Sequence, residues 1–161
     1  MEARSNGLFI TFEGLDGSGK STQMKLAEDY LKSKGLAVVS TLEPGGTPIG
    51  EKIRDLLLDR DNFEMCPKAE VFLFLASRAQ IVYQVIRPAL NQNKIVLCDR
   101  FFDSSIAYQG IARGLGAEKI LELSLWATEG LVPHLTFLLS VGTPQSEARK
   151  KARGEGQDRL E

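Results

Sequence analysis

The chain has 161 residues, a formal net charge of −1, 43% hydrophobic residues and 25% charged ones. That length buries the core of one domain, and the composition is ordinary for a globular protein. A charge near zero gives no general field for nucleic acid or an anionic membrane surface, so any phosphate binding must come from local clusters. Apolar stretches such as VFLFLA (71–76) are too short to span a bilayer, and MEARSNG (1–7) lacks the apolar core of a signal peptide. Cys66 and Cys98 show neither metal-ligand nor CxxC spacing. They read as small buried hydrophobes in a reducing compartment, a cytoplasm by default.

Strand and helix patterns alternate along the chain. LFITFE (8–13) is an apolar strand followed by a glycine-rich turn. A helix after it carries Met24, Ala27, Tyr30 and Leu31 at helical spacing and stops at Gly35. LAVVSTL (36–42) is the second strand, and EPGGTP (43–48) is a loop punctuated by proline and glycine. A helix over about 49–60 is expected to bury Ile53, Leu56 and Leu57. A longer one follows over about 68–92, kinked at Pro88. KIVLCD (94–99) is a third strand, apolar enough to be covered on both faces. Helices over about 103–112 and 116–130, parted by Gly114, lead to a fourth strand LTFLLSV (135–141) and a basic helical stretch over 144–153. This alternation predicts a three-layer α/β domain, a parallel sheet with helices on both faces. No repeat or linker divides it, so residues 1–161 read as one domain.

GLDGSGKS (14–21) satisfies G-x-x-x-x-G-K-[ST], with a strand leading in and a helix leading out. Gly14, Gly17 and Gly19 allow the backbone to turn sharply and approach phosphates that a Cβ would obstruct. The amides of Leu15, Asp16, Ser18 and the helix start then converge on the anion, with Thr22 in the first turn. Lys20 adds a point charge near the β- and γ-phosphates, and Ser21 offers its hydroxyl to Mg²⁺. ATP is the expected occupant. A GTPase would need N-K-x-D, which NQNKIV (91–96) does not supply.

LCDRFFDSSIAYQG (97–110) is the second signal. Its strand ends in Asp99, suited to supporting Mg²⁺ directly or through water, beside Arg100, whose fork suits a phosphate. With EPGGTPIGEKIR (43–54) and FLFLASRAQ (72–80), this stretch strongly resembles the thymidylate kinase family, from about residue 8 onward.

The resemblance implies a P-loop kinase of the nucleoside monophosphate type that moves the γ-phosphate of ATP to dTMP, giving dTDP and ADP, with Mg²⁺. By the same resemblance Asp16 holds the acceptor's 3′-hydroxyl, Glu43 and Pro44 border the acceptor pocket, and Phe74 stacks on thymine. Arg78, one helical turn after Phe74, reads a base carbonyl. Arg100 binds the acceptor phosphate, Ser105 and Tyr108 contact base and sugar, and Gln109 lies near the pocket. The P-loop carries no arginine among its variable positions, so phosphoryl transfer needs one from elsewhere. Arg149 and Arg153, four apart, match the family branch with catalytic arginines in a mobile lid, here about 144–158.

The family also implies a homodimer, for which the VFLFLA helix is a candidate interface, and a chain that continues beyond Glu161. Ser140 stands where the family commonly has aspartate. His134, after Pro133, reads as a turn residue, not a general base. Two other readings share these motifs: another small-molecule kinase on the same fold, and a non-catalytic nucleotide-binding module.

Overall fold

The computed structural model describes residues 7–152 together with 159 and 160. Among them, strands β1 (Leu8–Gly14), β2 (Val38–Leu42), β3 (Ile95–Asp99) and β4 (Leu135–Leu139) form one parallel sheet in the order β2-β3-β1-β4. The helices are α1 (Lys20–Ser33), α2 (Pro48–Leu58), α3 (Pro67–Ile81), α4 (Arg87–Asn91), α5 (Phe102–Ser105), α6 (Ala117–Ala127) and α7 (Thr143–Ala152).

Because every strand runs the same way, their carboxyl ends meet at one edge. Phe12 of β1 stands opposite Asp99 of β3, and Leu42 of β2 stands opposite Asp99 on the other side. Pairing runs one residue further, since Arg100 donates its amide to the Phe12 carbonyl at 2.9 Å and Glu43 donates to that of Asp99 at 3.0 Å. That edge, where connections leave in different directions, is where open α/β sheets bind ligands.

Alternation along β1 builds two cores. Phe9 faces Ile81, Val82, Ile86 and Leu90 of the long helix, with Val96 and Cys98 of β3. Ile10 and Phe12 face the other way with Leu97, against Met24, Ala27 and Leu31 of α1. The expected three layers are therefore present, with β1 and β3 covered on both sides.

Tyr30 does not join that core. It lies six residues past Met24, about 240° round the helix, and is exposed beneath the Lys34 ammonium. Of the three apolar residues expected inside α2, Leu57 is fully buried, Ile53 is partly so and Leu56 is exposed, because the helix rests on the outside of α3. Cys66 is exposed, not buried, because it caps the start of α3, whereas Cys98 is buried in β3.

The expected kinked helix is continuous from Pro67 to Asn91. Pro88 offers no amide to the turn before it, and residues Val82–Ile86 widen into a π-helical turn in which Arg87 donates to the Val82 carbonyl. At 25 residues this helix is long and apolar enough to cross a bilayer, which corrects the reading of the short run VFLFLA. Here it is a core helix, packed on β1 and β3 through Ile81, Val82, Ile86 and Leu90. The stretch expected as one helix over 103–112 is α5 followed by π-helical turns, Ile106–Ala112.

β4 ends at Leu139 and is the edge strand beside β1 among the described residues. Leu135, Phe137 and Leu138 are accordingly exposed. His134 locks its start, donating its amide to the Phe9 carbonyl at 2.8 Å and accepting the Phe9 amide on Nδ1 at 2.9 Å. Those two bonds suit the turn role expected of it.

Candidate functional site

The loop after β1 forms a cradle of backbone. A Cβ on Gly14 would stand 2.4 Å from the Leu139 carbonyl oxygen, so only glycine fits. Gly17 and Gly19 take φ of 80° and 101°, conformations that side chains disfavour. Gly19 caps α1 without a side-chain acceptor, and no acidic residue sits in the first turn. The positive end of α1 is thus left for an outside anion.

Lys20, in the first turn of α1, is buried and folded onto the loop. Its Nζ donates to the Gly14 and Leu15 carbonyls at 3.0 Å each and lies 3.5 Å from the Asp16 carboxylate. Burial lowers its pKa, because the charged form loses solvent. The Ser18 hydroxyl is buried beside it with no hydrogen-bond partner among the described residues. Leu15 is partly exposed and Ser21 and Thr22 are exposed at the mouth. Ser21 Oγ donates to Asp99 Oδ2 at 3.0 Å, joining the start of α1 to the end of β3.

Arg100 follows with φ 68°, a strained value for an arginine. Its Nη2 donates to Asp16 Oδ1 at 2.8 Å, its Nη1 donates to Ser104 Oγ at 2.9 Å, and its guanidinium lies 5.6 Å from the Tyr108 ring centre. The backbone is held there by Glu13. One oxygen of Glu13 accepts the Phe101 amide at 2.7 Å, and the other accepts the Ser104 hydroxyl at 2.6 Å. Burial raises the Glu13 pKa, while the bonds from Ser104 and Phe101 oppose that rise.

Phe74, Leu75, Arg78, Ser105 and Gln109, with Val71 and Ile120, line a recess too tightly packed to hold a water molecule. Arg78 is wholly buried and donates to Ser124 Oγ at 3.0 Å and Ser105 Oγ at 2.9 Å. Its Nε lies 2.7 Å from Glu43 Oε1 as an ion pair, but the N–H is not aligned well enough to count as a hydrogen bond. Pro44 follows Glu43 through a cis peptide, and its carbonyl accepts Arg54 Nη1 at 2.8 Å. In α7, Ser146 Oγ donates to the Asp16 carbonyl and Arg149 Nη1 donates to that of Gly17 at 3.3 Å. Helix α7 therefore rests on the loop after β1.

The thymidylate kinase family model matches residues 12–161. A thymidylate kinase of Exiguobacterium sp. is 54% identical over 156 residues, 97% of this chain and 73% of that protein. One from Thermosipho melanesiensis is 51% identical over 154 residues, 96% of this chain and 75% of its own length. The crystal structure of the Ehrlichia chaffeensis thymidylate kinase superposes with a TM-score of 0.77 at 39% identity, covering 91% of this chain and 83% of that one. The chain belongs to the thymidylate kinase family. It is a phosphotransferase by that membership, and its fold is that of a P-loop kinase.

The fold brings most of the residues picked from sequence into two adjoining corners. Asp16, Lys20, Ser21, Asp99, Arg100 and Arg149 surround the loop; Phe74, Arg78, Ser105 and Gln109 line the recess, and Glu43 pairs with Arg78 beside it. Tyr108 stands beside Arg100, partly exposed. Arg153 lies outside the described residues, as does lid segment 153–158. Glu13, Ser104, Ser124 and Arg54 were missed. Only Glu13 left a sign, a carboxylate at the end of an apolar strand run, where it is 4% exposed.

Proposed function

We propose that this thymidylate kinase family member, acting as a single P-loop kinase domain, binds ATP in the Gly14–Thr22 loop and dTMP beside the Phe74–Arg78 recess. The γ-phosphoryl group passes to a 5′-phosphate oxygen of dTMP, leaving ADP and dTDP, a step toward dTTP. One observation carries the reading: α5 ties the two corners together. Its Ser104 bonds Arg100 and Glu13 beside the P-loop, and the next residue, Ser105, bonds Arg78 at the recess. Donor and acceptor sites are thereby set on one rigid turn, which is what in-line transfer requires.

The roles are those the resemblance implies. The loop amides and Lys20 hold the donor phosphates, Arg100 presents the acceptor phosphate, and Asp16 orients both Arg100 and the sugar. Phe74 gives a stacking face, and Arg78, Ser105, Tyr108 and Gln109 give polar contacts, with Glu43 and Pro44 closing the side. Arg149 and Arg153 approach the moving group from the lid.

Ser21 and Asp99 present a hydroxyl and a carboxylate 3.0 Å apart at the cradle mouth, hard oxygens that suit Mg²⁺. They would hold Mg²⁺, which when bound would supply positive charge toward the donor phosphates. A homodimer is supported by Phe72 and Tyr83, eleven residues apart on one face of the long helix and both strongly exposed. A cytoplasmic setting is supported by two cysteines that remain unpaired.

The test is direct. Purified protein with ATP, Mg²⁺ and a panel of nucleoside monophosphates should yield dTDP and ADP in equal amounts from dTMP. ATP consumption without dTDP, or a better acceptor with a purine base, would refute the assignment.

A further inference from the structure

Arg100 keeps a backbone conformation that an arginine disfavours, φ 68°, and bonds to β1 and β3 hold it there. Its amide donates to the Phe12 carbonyl at 2.9 Å, and its carbonyl accepts the buried Cys98 thiol at 3.1 Å. The next amide, that of Phe101, donates to Glu13 Oε1 at 2.7 Å.

The side chain has one exposed partner and one buried one. Asp16, which accepts Nη2 at 2.8 Å, is about half exposed on the loop. Nη1 donates at 2.9 Å to Ser104 Oγ, which donates in turn to Glu13 Oε2 at 2.6 Å. Glu13 is 4% exposed, so this second arm is anchored inside the sheet. One carboxylate thus sets both the backbone and one nitrogen of the same arginine.

The polarity of that arm depends on a charge. An ionised carboxylate only accepts hydrogen bonds, so it takes the Phe101 N–H on one oxygen and the single Ser104 proton on the other. With its proton committed, Ser104 Oγ has only lone pairs to offer, and these receive the Arg100 N–H. A glutamine cannot reproduce this. Its oxygen must still meet the Phe101 N–H, which turns its NH₂ toward Ser104. The Ser104 proton then has no acceptor, and the NH₂ competes with Arg100 for the same lone pairs.

We propose that Glu13 is a positioning residue for phosphoryl transfer: through Ser104 and the Phe101 amide it aims the Arg100 guanidinium at the acceptor's 5′-phosphate. The inference rests on the reading of Arg100 as the group that presents that phosphate. Because Glu13 acts through Arg100, the share of acceptor affinity that comes from the phosphate depends on it. The share that comes from base and sugar does not. Transfer suffers too, since a misplacement of about 1 Å costs on the order of 10²-fold in rate.

The experiment compares the wild type with Glu13→Gln, Arg100→Ala and the double variant. Calorimetry gives dissociation constants for dTMP, for thymidine and for ATP, and initial rates give kcat and KM. Glu13→Gln should raise the dTMP constant at least tenfold and lower kcat, with thymidine and ATP binding unchanged. In the Arg100→Ala background the same change should add less than twofold, because the arginine it aims is gone. A Glu13→Gln protein that weakens thymidine as much as dTMP overturns the inference, since that is the pattern of a merely structural loss. Wild-type dTMP binding in that protein, or a fully additive loss in the double variant, overturns it as well. If Glu13→Gln does not fold, Ser104→Ala, which leaves the Phe101 bond in place, must show the phosphate-confined loss, and its absence overturns the inference. Arg100→Ala with unchanged dTMP binding overturns the reading of Arg100 itself, whereas a weakened Arg100→Ala beside an indifferent Glu13→Gln overturns only the role of Glu13.

Discussion

Arg78 Nε stands 2.7 Å from Glu43 Oε1, with the two side chains only 1% and 2% exposed. Desolvation outweighs the attraction of the guanidinium and pushes the Glu43 pKa up to about 7. The folded state therefore binds this proton more tightly than the unfolded chain does. The stability it contributes is complete below the ordinary carboxylate value of 4.5 and is lost as pH rises through about 7. Urea unfolding should show the wild type losing, from this group, at most on the order of 3 kcal/mol between pH 5 and pH 8. Glu43→Gln should flatten that fall, and an unchanged slope in the variant would show that Glu43 does not titrate there.

Removing the arginine has two consequences that can be separated. Arg78→Ala strands Glu43 as well as Ser105 and Ser124, and breaking a buried pair costs about 3–5 kcal/mol. Arg78→Ala with Glu43→Gln should recover much of that stability, because no buried charge is left. The double variant should still bind dTMP weakly while binding ATP normally. Calorimetric titration of each nucleotide checks this; equal losses for both would make Arg78 purely structural.

Lys20→Met keeps the aliphatic stem and deletes the charge. Among the described residues Nζ bonds only to loop carbonyls and Asp16, so the melting curve should move little. Phosphoryl transfer should fall by about 10³-fold, since the lost charge offsets negative charge developing in the transition state. Coupled measurement of ADP release, beside a thermal melt, separates the two effects.

Ser146 and Arg149 hold α7 against the carbonyls of Asp16 and Gly17, which places an arginine beside the cradle. Arg149→Ala with Arg153→Ala should lower kcat by about 10³-fold, the scale of a lost arginine finger. Dissociation constants for ATP and dTMP should change far less, because the contact belongs to the transition state. Single-turnover transfer with equilibrium binding reads both quantities. Binding that falls as far as the rate would assign these arginines to substrate capture instead.

The sequence by itself determined what local chemistry dictates. Glycines at 14, 17 and 19 before Lys20 admit few purposes other than a phosphate cradle, and apolar runs alternating with helical periods require a layered parallel sheet. Asp99 and Arg100 were legible because they end a strand at the edge where such sheets bind ligands. Resemblance added Phe74 and Arg78, whose four-residue spacing agrees with one helix face.

What only the tertiary structure decided are the partnerships between distant residues. Glu13 supports the turn at Arg100 through Phe101 and Ser104, roughly ninety residues away, and no periodicity encodes such a bond. The burial of Arg78 depends on Glu43, Ser105 and Ser124, brought together by four different elements. Tyr30, Leu56 and Cys66 were misjudged because hydrophobicity reports a tendency to be buried, while the packing of neighbouring elements decides which side is covered. Glu70 carries the same lesson: in sequence it is one acid among 21 acidic residues, and only the fold sets two arginines against one of its oxygens and Gln109 against the other.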